Sequence, residues 1–326
     1  MRVGIVGIGA ISPMHINGLM SCGQEIVALC DVERSRCEAA IEKFGLSSEC
    51  YTDYTEMLNN SALDAVHICT PHYLHAPMII EALGRGINVL CEKPLCINEE
   101  QLTDIENAVK GSKAQLAVCL QSRFNESAVF VKDYFNDKQI IAAAANLTWR
   151  RSEEYYAADA WRGTLDKEGG GVMINQAIHT LDLLSWICGM PKSVIAYVSN
   201  NSLRGKIEVE DTAHGLFFLE NGGTFVMNAT NASAKNLPNY MSFTDGEDVL
   251  EISSNNLIVN GKQVMTDGGA PIFGKVEWGT GHAKLIREYY GCIARNEKFP
   301  IDFDEAKKSV KMIFKMYQSF GERLDI

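Results

Sequence analysis

The stretch RVGIVGIGAISP, Arg2 to Pro13, decides the fold of the chain's first third. Val3 to Val6 is a short apolar run, the composition of a buried strand. It leads straight into Gly7-Ile8-Gly9-Ala10-Ile11-Ser12 and then a helical stretch. In that context a glycine pattern carries meaning. Gly7 permits a tight strand-to-helix turn. Gly9 lets a pyrophosphate approach the backbone, where helix N–H groups and the helix dipole favour its charge. Ser12 stands where such turns usually have a third glycine or alanine, and it is small enough for close helix–strand packing.

Working outward, apolar runs at Ile26 to Cys30, Ala65 to Cys69, Ile87 to Leu90 and Leu116 to Leu120 alternate with amphipathic stretches. The helical stretches are Glu33 to Phe44, Pro77 to Leu83 and Glu99 to Lys110. This alternation predicts a doubly wound parallel sheet over residues 1–122, an α/β dinucleotide-binding domain of the Rossmann type. After residue 123 the runs Ile140 to Trp149, Val194 to Ser199, Thr212 to Leu219, Thr224 to Thr230 and Val249 to Ser253 follow without long helices between them. They predict a second, α+β domain over 123–326 with a mostly antiparallel, open-faced sheet. One helix, about Val172 to Ile187, interrupts it. Amphipathic stretches at His282 to Ala294 and Phe303 to Phe320 are expected to return the tail to the body.

The chain of 326 residues has 46% hydrophobic and 22% charged residues, as an ordinary globular protein does. A net charge of −11 argues against nucleic acid and against a membrane surface. The start lacks the basic and apolar regions of a secretory signal, so the expected compartment is the cytoplasm. Ten cysteines occur without a CxxC pair, and Cys30, Cys69, Cys91 and Cys119 lie in strand-like runs. They read as buried reduced thiols, not as zinc ligands or disulfides, and no metal is expected. His15, His67, His214 and His282 show no partner pattern and read as structural.

Candidate site residues fall in two groups. Asp31 ends the second strand about 20 residues beyond the glycines, where it can accept from ribose hydroxyls and repel a 2′-phosphate, so NAD is expected over NADP. Arg34 and Arg36 keep NADP open. Thr70-Pro71-His72 and Cys91-Glu92-Lys93-Pro94 end two strands, the edge where ligands collect. Lys93 is held in a Lys-Pro turn that has a cis option. In the second half, Gly169-Gly170-Gly171 opens a helix with Asn175 and His179 four apart on one face. Asp182 follows on the same stripe. Before it, Tyr155-Tyr156 and Trp161-Arg162-Gly163 offer aromatic faces and a guanidinium suited to a polyol.

The glycine turn, TPHYLH at Thr70 to His75, EKP at Glu92 to Pro94 and the GGG…H..D helix together resemble the Gfo/Idh/MocA family of sugar and inositol dehydrogenases. The resemblance covers essentially the whole chain. It implies a hydride transfer between a nicotinamide and a secondary alcohol, with Lys93 and His179 catalytic. It also implies that Ile8, Gly9, Ala10, Ile11, Asp31, Thr70, His75, Glu92 and Gln121 touch the dinucleotide, with Gly7, Pro71 and Lys93 expected beside them; the residues themselves suggest Asn175, Trp161, Arg162 and Tyr156 for the substrate. Many family members carry aspartate where this chain has Asn175, which removes one possible base. The alternatives are an NAD-dependent glycoside hydrolase that oxidises transiently, and a catalytically silent dinucleotide-binding regulator. A homodimer or homotetramer through the second sheet is expected.

Overall fold

The computed structural model describes residues 1–268 and 280–326, which form two compact units. The first contains Met1–Gln121 and the described residues 280–307; the second contains residues 122–268 and 308–326.

In the first unit six strands lie in the order β3-β2-β1-β4-β5-β6, all parallel. They are β1 (Arg2–Val6), β2 (Glu25–Cys30), β3 (Glu49–Tyr51), β4 (Ala65–Ile68), β5 (Asn88–Glu92) and β6 (Leu116–Cys119). Helices α1 (Ser12–Ser21), α2 (Arg34–Phe44), α3 (Tyr54–Asn60), α4 (His75–Gly84) and α5 (Glu99–Gly111) connect them, the doubly wound arrangement expected from the alternation. The central strands are buried on both faces, which is why they read as continuous apolar runs. Strand β3 and helix α3 escape the sequence reading because three half-exposed residues and two turns of helix carry too little periodicity. Strand order reverses between β1 and β4, so the loops leaving their carboxyl ends share one crevice. Gly7 takes φ +87°, and a Cβ there would sit 2.6 Å from the Cys69 carbonyl carbon. Helix Gly281–Arg295 lies against α1 so closely that a Cβ on Gly18 would stand 2.4 Å from Ile286.

The second unit is built on a nine-stranded sheet, β14-β13-β12-β11-β7-β10-β9-β8-β15. Its strands are β7 (Ala142–Thr148), β8 (Pro191–Ser199), β9 (Thr212–Leu219), β10 (Thr224–Thr230), β11 (Tyr240–Thr244), β12 (Val249–Ser253), β13 (Asn256–Val259), β14 (Lys262–Thr266) and β15 (Arg323–Asp325). Seven of its neighbouring pairs are antiparallel and one, β7 with β10, is parallel. Alternation sends Ala143, Ala145, Leu147, Phe217, Phe225, Met227 and Phe243 into the core, while Asn146 and His214 stay exposed and Asn228 half-buried on the other face. Strands β11, β13, β14 and β15 are short and polar on one face, and the sequence reading misses them. Helices α6 (Glu126–Tyr134), α7 (Glu153–Ala157) and α8 (Ile178–Cys188) complete the unit, with helix Phe303–Ser319 running through residues of both.

All ten cysteines are free, and Cys30, Cys69, Cys91 and Cys119 are buried as expected. Among the described residues no helix is long and apolar enough to cross a membrane.

Candidate active site

In the first unit the glycine turn is tied to the end of β2. Asp31 is 7% exposed, and its two oxygens accept from the Ile8 amide at 2.8 Å and the Glu33 amide at 2.9 Å. The acid that was expected to meet a ribose therefore also shapes the turn. A Cβ on Gly9 would meet nothing within 4 Å, so the outer side of the turn is an open cradle. Helix α1 begins there with no acidic residue in its first turn and no side-chain cap, so its positive dipole end faces the turn without a competing carboxylate. These residues fit a dinucleotide pyrophosphate. Arg34 bonds Glu38 and the Cys50 carbonyl, and Arg36 bonds Glu33, so both cations have local partners.

The two loops bearing Thr70-Pro71 and Lys93-Pro94 are pinned together by His75. Its Nδ1 lies 2.7 Å from the Pro94 carbonyl and its Nε2 2.9 Å from the Thr70 carbonyl. Burial lowers the His75 pKa, opposed by those two carbonyls. His75 is wholly buried, so its visible role is to fix the loops around Lys93, which is half-buried behind a cis Lys93-Pro94 bond. Gln121 is buried at the end of this unit.

Behind Lys93 lies a buried network that the sequence does not announce. Glu92 Oε1 is 2.9 Å from His15 Nε2 and 3.4 Å from His282 Nε2. His15 Nδ1 lies 2.9 Å from His67 Nδ1, and His67 Nε2 lies 2.9 Å from the Tyr290 hydroxyl. Three histidines read as unrelated structural residues are thus one cluster. Burial pushes Glu92 up, but the hydrogen bond from His15 and the His282 ring outweigh it and hold the carboxyl well below its ordinary range. Burial and the neighbouring His15 drive His67 well below the ordinary histidine value. Donor atoms of His15, Glu92 and Cys119 lie within 4.8 Å of one another, a set that could hold a metal. His15, His67, Glu92 and Tyr290 already have one another as polar partners.

In the second unit, residues Met173–Ala177 take a wider π-helical winding before α8 begins. Such turns recur at functional sites. From Gly171 to Ser185 every residue is buried except Asn175 and His179. Asp182, expected on their stripe, instead points inward. It accepts from Arg123 Nε at 2.8 Å and Nη2 at 2.7 Å and from Ser309 Oγ at 2.8 Å, which anchors α8. Glu210 caps the entry to the helix, accepting from the Gly171 and Met173 amides at 2.8 and 3.0 Å and from the Tyr317 hydroxyl at 3.0 Å. Burial lifts its pKa to about 7 despite those donors.

Arg162 lies over the rings of Tyr155 (4.5 Å) and Trp161 (4.6 Å) and pairs with Asp159. Tyr155 reaches the helix through its hydroxyl, 3.3 Å from Gln176 Nε2. Tyr156 is only 5% exposed and its hydroxyl takes a hydrogen bond from Asn231. Of the adjacent tyrosines, Tyr155 is the less buried, with Arg151 and Arg162 over its ring. Asn175 donates its amide to Glu168, a contact the sequence reading did not foresee.

Residues 1–120 match the profile described as "Oxidoreductase family, NAD-binding Rossmann fold", and residues 139–251 match the "GFO/IDH/MocA C-terminal domain". The chain belongs to the Gfo/Idh/MocA family. Within it, an inositol 2-dehydrogenase of Salmonella paratyphi B is 27% identical over 194 residues, 57% of this chain and 54% of that protein. The chain therefore spans about half the length of that relative. A D-glucoside 3-dehydrogenase of Escherichia coli K12 is 27% identical over 73% of this chain and 74% of its own. In three dimensions, the WlbA dehydrogenase from Bordetella pertussis, crystallised with NADH and UDP-GlcNAcA, superposes with a TM-score of 0.87 at 26% identity, covering 100% of this chain and 98% of that one. The Gfo/Idh/MocA resemblance read from EKP and the GGG…H..D helix is thus confirmed by both halves.

Proposed function

We propose that this protein is an NAD-dependent dehydrogenase acting on a secondary alcohol of a sugar, sugar derivative or inositol. The observation that carries the reading is the stretch Gly171 to Ser185, in which only Asn175 and His179 are not buried. Histidine is the side chain whose ordinary pKa suits proton exchange near neutral pH. Lys93, fixed by the His75 bridge, polarises the substrate oxygen, and His179 takes its proton. Bound NAD supplies the hydride acceptor at its nicotinamide ring. Gly7, Ile8, Gly9, Ala10 and Ile11 cradle the pyrophosphate, Asp31 takes the ribose, and Thr70, Pro71 and Glu92 line the nicotinamide end with Gln121. Asn175 orients the substrate, flanked by Trp161 and Arg162.

NAD is favoured over NADP because Asp31 offers a carboxylate where a 2′-phosphate would come, and Arg34 and Arg36 are engaged by Glu38 and Glu33. Relatives that act on inositols and glucosides, and one crystallised with a nucleotide sugar acid, set the probes. Myo-inositol, methyl glucoside and UDP-GlcNAcA are each supplied with NAD and NADP while nicotinamide absorbance is followed. Net NADH formation with one of them is expected. Turnover of a glycoside without net NADH would point to transient oxidation, and NADH binding with no turnover would point to a silent regulator.

The same proposal includes a homodimer or homotetramer. The sheet's outer face carries Tyr197 at 59% exposure and a cross-strand ladder of His214, Asn228 and Asn146, a surface a second copy would cover. Light scattering that returned a monomer at micromolar concentration would remove this part. Ten free thiols suit a reducing compartment, which supports the cytoplasm.

A further inference from the structure

Cys119 and His282 belong to the buried cluster around Glu92 without sharing its close pairings. Neither ring nitrogen of His282 makes a hydrogen bond, although the side chain is 1% exposed and its Nε2 comes within 3.4 Å of Glu92 Oε1. An imidazole sealed from water with both nitrogens unmatched costs free energy unless something else takes its lone pair. Cys119, wholly buried on β6, sets Sγ 4.0 Å from His15 Nε2. That nitrogen is itself 2.9 Å from Glu92 Oε1, and donor atoms of His15, Glu92 and Cys119 all fall within 4.8 Å of one another. The four side chains come from α1, β5, β6 and the helix Gly281–Arg295, all within the first unit.

We infer that His15, Glu92, Cys119 and His282 form a closed structural zinc site, an inference that stands whether or not the dehydrogenase reading does. Zinc takes a tetrahedron of nitrogen, sulfur and carboxylate ligands, whose bond lengths put neighbouring nitrogen and oxygen about 3.3 Å apart and nitrogen and sulfur about 3.6 Å apart. The contacts here are 2.9 and 3.4 Å from the two histidines to Glu92 and 4.0 Å from His15 to Cys119, each within about half an ångström of those edges. Closing the tetrahedron needs His282 to swing toward His15, whose ring centroid is 6.1 Å away. Charge selects a divalent ion. The Glu92 carboxylate and the Cys119 thiolate bring two negative charges and neutral imidazoles bring none, so Zn2+ leaves the buried site neutral. Cys119 gives up its thiol proton on binding. Outside the ligands, His67 Nδ1 lies 2.9 Å from His15 Nδ1 and its Nε2 2.9 Å from the Tyr290 hydroxyl, outer partners that orient the His15 ring and leave Nε2 for the metal. Bound zinc ties the helix Gly281–Arg295 to the strand end that carries Lys93. No short ligand spacing marks the set, which is why the sequence alone leads to an expectation of no metal.

The whole chain, unfolded in urea with a chelator and refolded with one equivalent of cobalt(II), reports the ligands directly. Cobalt held by Cys119 should show a near-ultraviolet thiolate charge-transfer band together with the strong visible bands of a tetrahedral centre. Elemental analysis of protein purified from zinc-supplemented cells, or refolded with zinc and desalted, should give about one zinc per chain, falling at least about fivefold in Cys119→Ala and in His282→Ala. The melting temperature of the refolded parent should rise with zinc, and that rise should vanish in both variants. Cys69→Ala removes another buried thiol near Glu92 and should keep both the metal and the thiolate band.

A parent that holds no zinc after desalting, or cobalt-refolded parent without a thiolate band, overturns the inference, and neither result depends on whether a variant folds. A band that is lost in Cys69→Ala and kept in Cys119→Ala also overturns it, because the metal would then sit on other ligands.

Discussion

Glu92 in the amino-terminal unit and Glu210 in the carboxyl-terminal unit are the same side chain in equally closed surroundings, 7% and 8% exposed. They titrate in opposite directions. Burial raises both, because a charge leaving water is costly. For Glu92, His15 and His282 reverse the sign and the carboxyl stays charged well below its ordinary value. For Glu210, the partners are two backbone amides and the Tyr317 hydroxyl, all neutral, and burial wins, lifting the pKa to about 7. Neutral donors satisfy a buried carboxylate's oxygens without compensating its charge. The stability consequences are opposite too. The contribution of Glu92 is present above its unfolded value of 4.5 and is lost as pH falls. That of Glu210 is full below 4.5 and is lost as pH rises to about 7.

The largest expected effects concern the two residues proposed for the chemistry, Lys93 and His179. Lys93→Ala in the first and His179→Ala in the second should each lower kcat by a factor of about 10² to 10⁴ while NADH affinity stays nearly unchanged. Near-normal kcat for His179→Ala on the true substrate would mean that Lys93 or water carries the proton. The next largest effect is on folding. Glu92→Ala leaves His15 and His282 facing an empty acceptor position and should cost about 3–5 kcal/mol in urea unfolding at neutral pH. A loss under about 1 kcal/mol would show that the histidines do not depend on that charge. For Glu210, a rise from 4.5 to about 7 at about 1.4 kcal/mol per unit is worth about 3 kcal/mol. The stability of the parent minus that of Glu210→Gln should therefore fall by about that much between acid and mildly alkaline buffer. A difference that stays flat with pH would break the contrast with Glu92.

How far the sequence could be read follows the same division. The first unit was legible because each central strand is buried on both faces and each ends in a motif: Gly7 to Ser12, Asp31, Thr70 to His75, Glu92 to Pro94. Asn175 and His179 were legible from helical spacing. Asp182 was placed on their stripe because spacing says which residues share a face but not what faces them; Arg123 and Ser309 claim it. The network of His15, His67, Glu92 and His282 draws on α1, β4, β5 and a helix near the carboxyl end, so no local pattern marks it. One hint was available: His67 interrupts the otherwise apolar run AVHIC. Glu168 gave a similar hint, a charge set directly against three glycines in a segment that folds inward.

The smallest expected effect concerns Asp31, and it separates the cofactor role proposed for this carboxylate from the turn contacts it makes. If it lies beside the ribose as proposed, its charge should repel a 2′-phosphate by an amount on the order of 1–2 kcal/mol, about tenfold in relative affinity. As an acceptor it also holds the Ile8 and Glu33 amides, and therefore the shape of the turn. Asp31→Ala removes both functions, so it should relax the preference for NADH over NADPH and at the same time weaken binding of both, because the Ile8 amide loses its partner. Asp31→Asn is the sharper variant. Its oxygen can still accept from Ile8 while the charge and the Glu33 contact are gone, so NADH affinity should fall less than in Asp31→Ala while NADPH affinity rises. Fluorescence titration of both reduced cofactors against the three proteins reads this directly. If the parent already binds NADPH as tightly as NADH, Asp31 shapes the turn without discriminating between the cofactors, and the preference assigned to it is wrong.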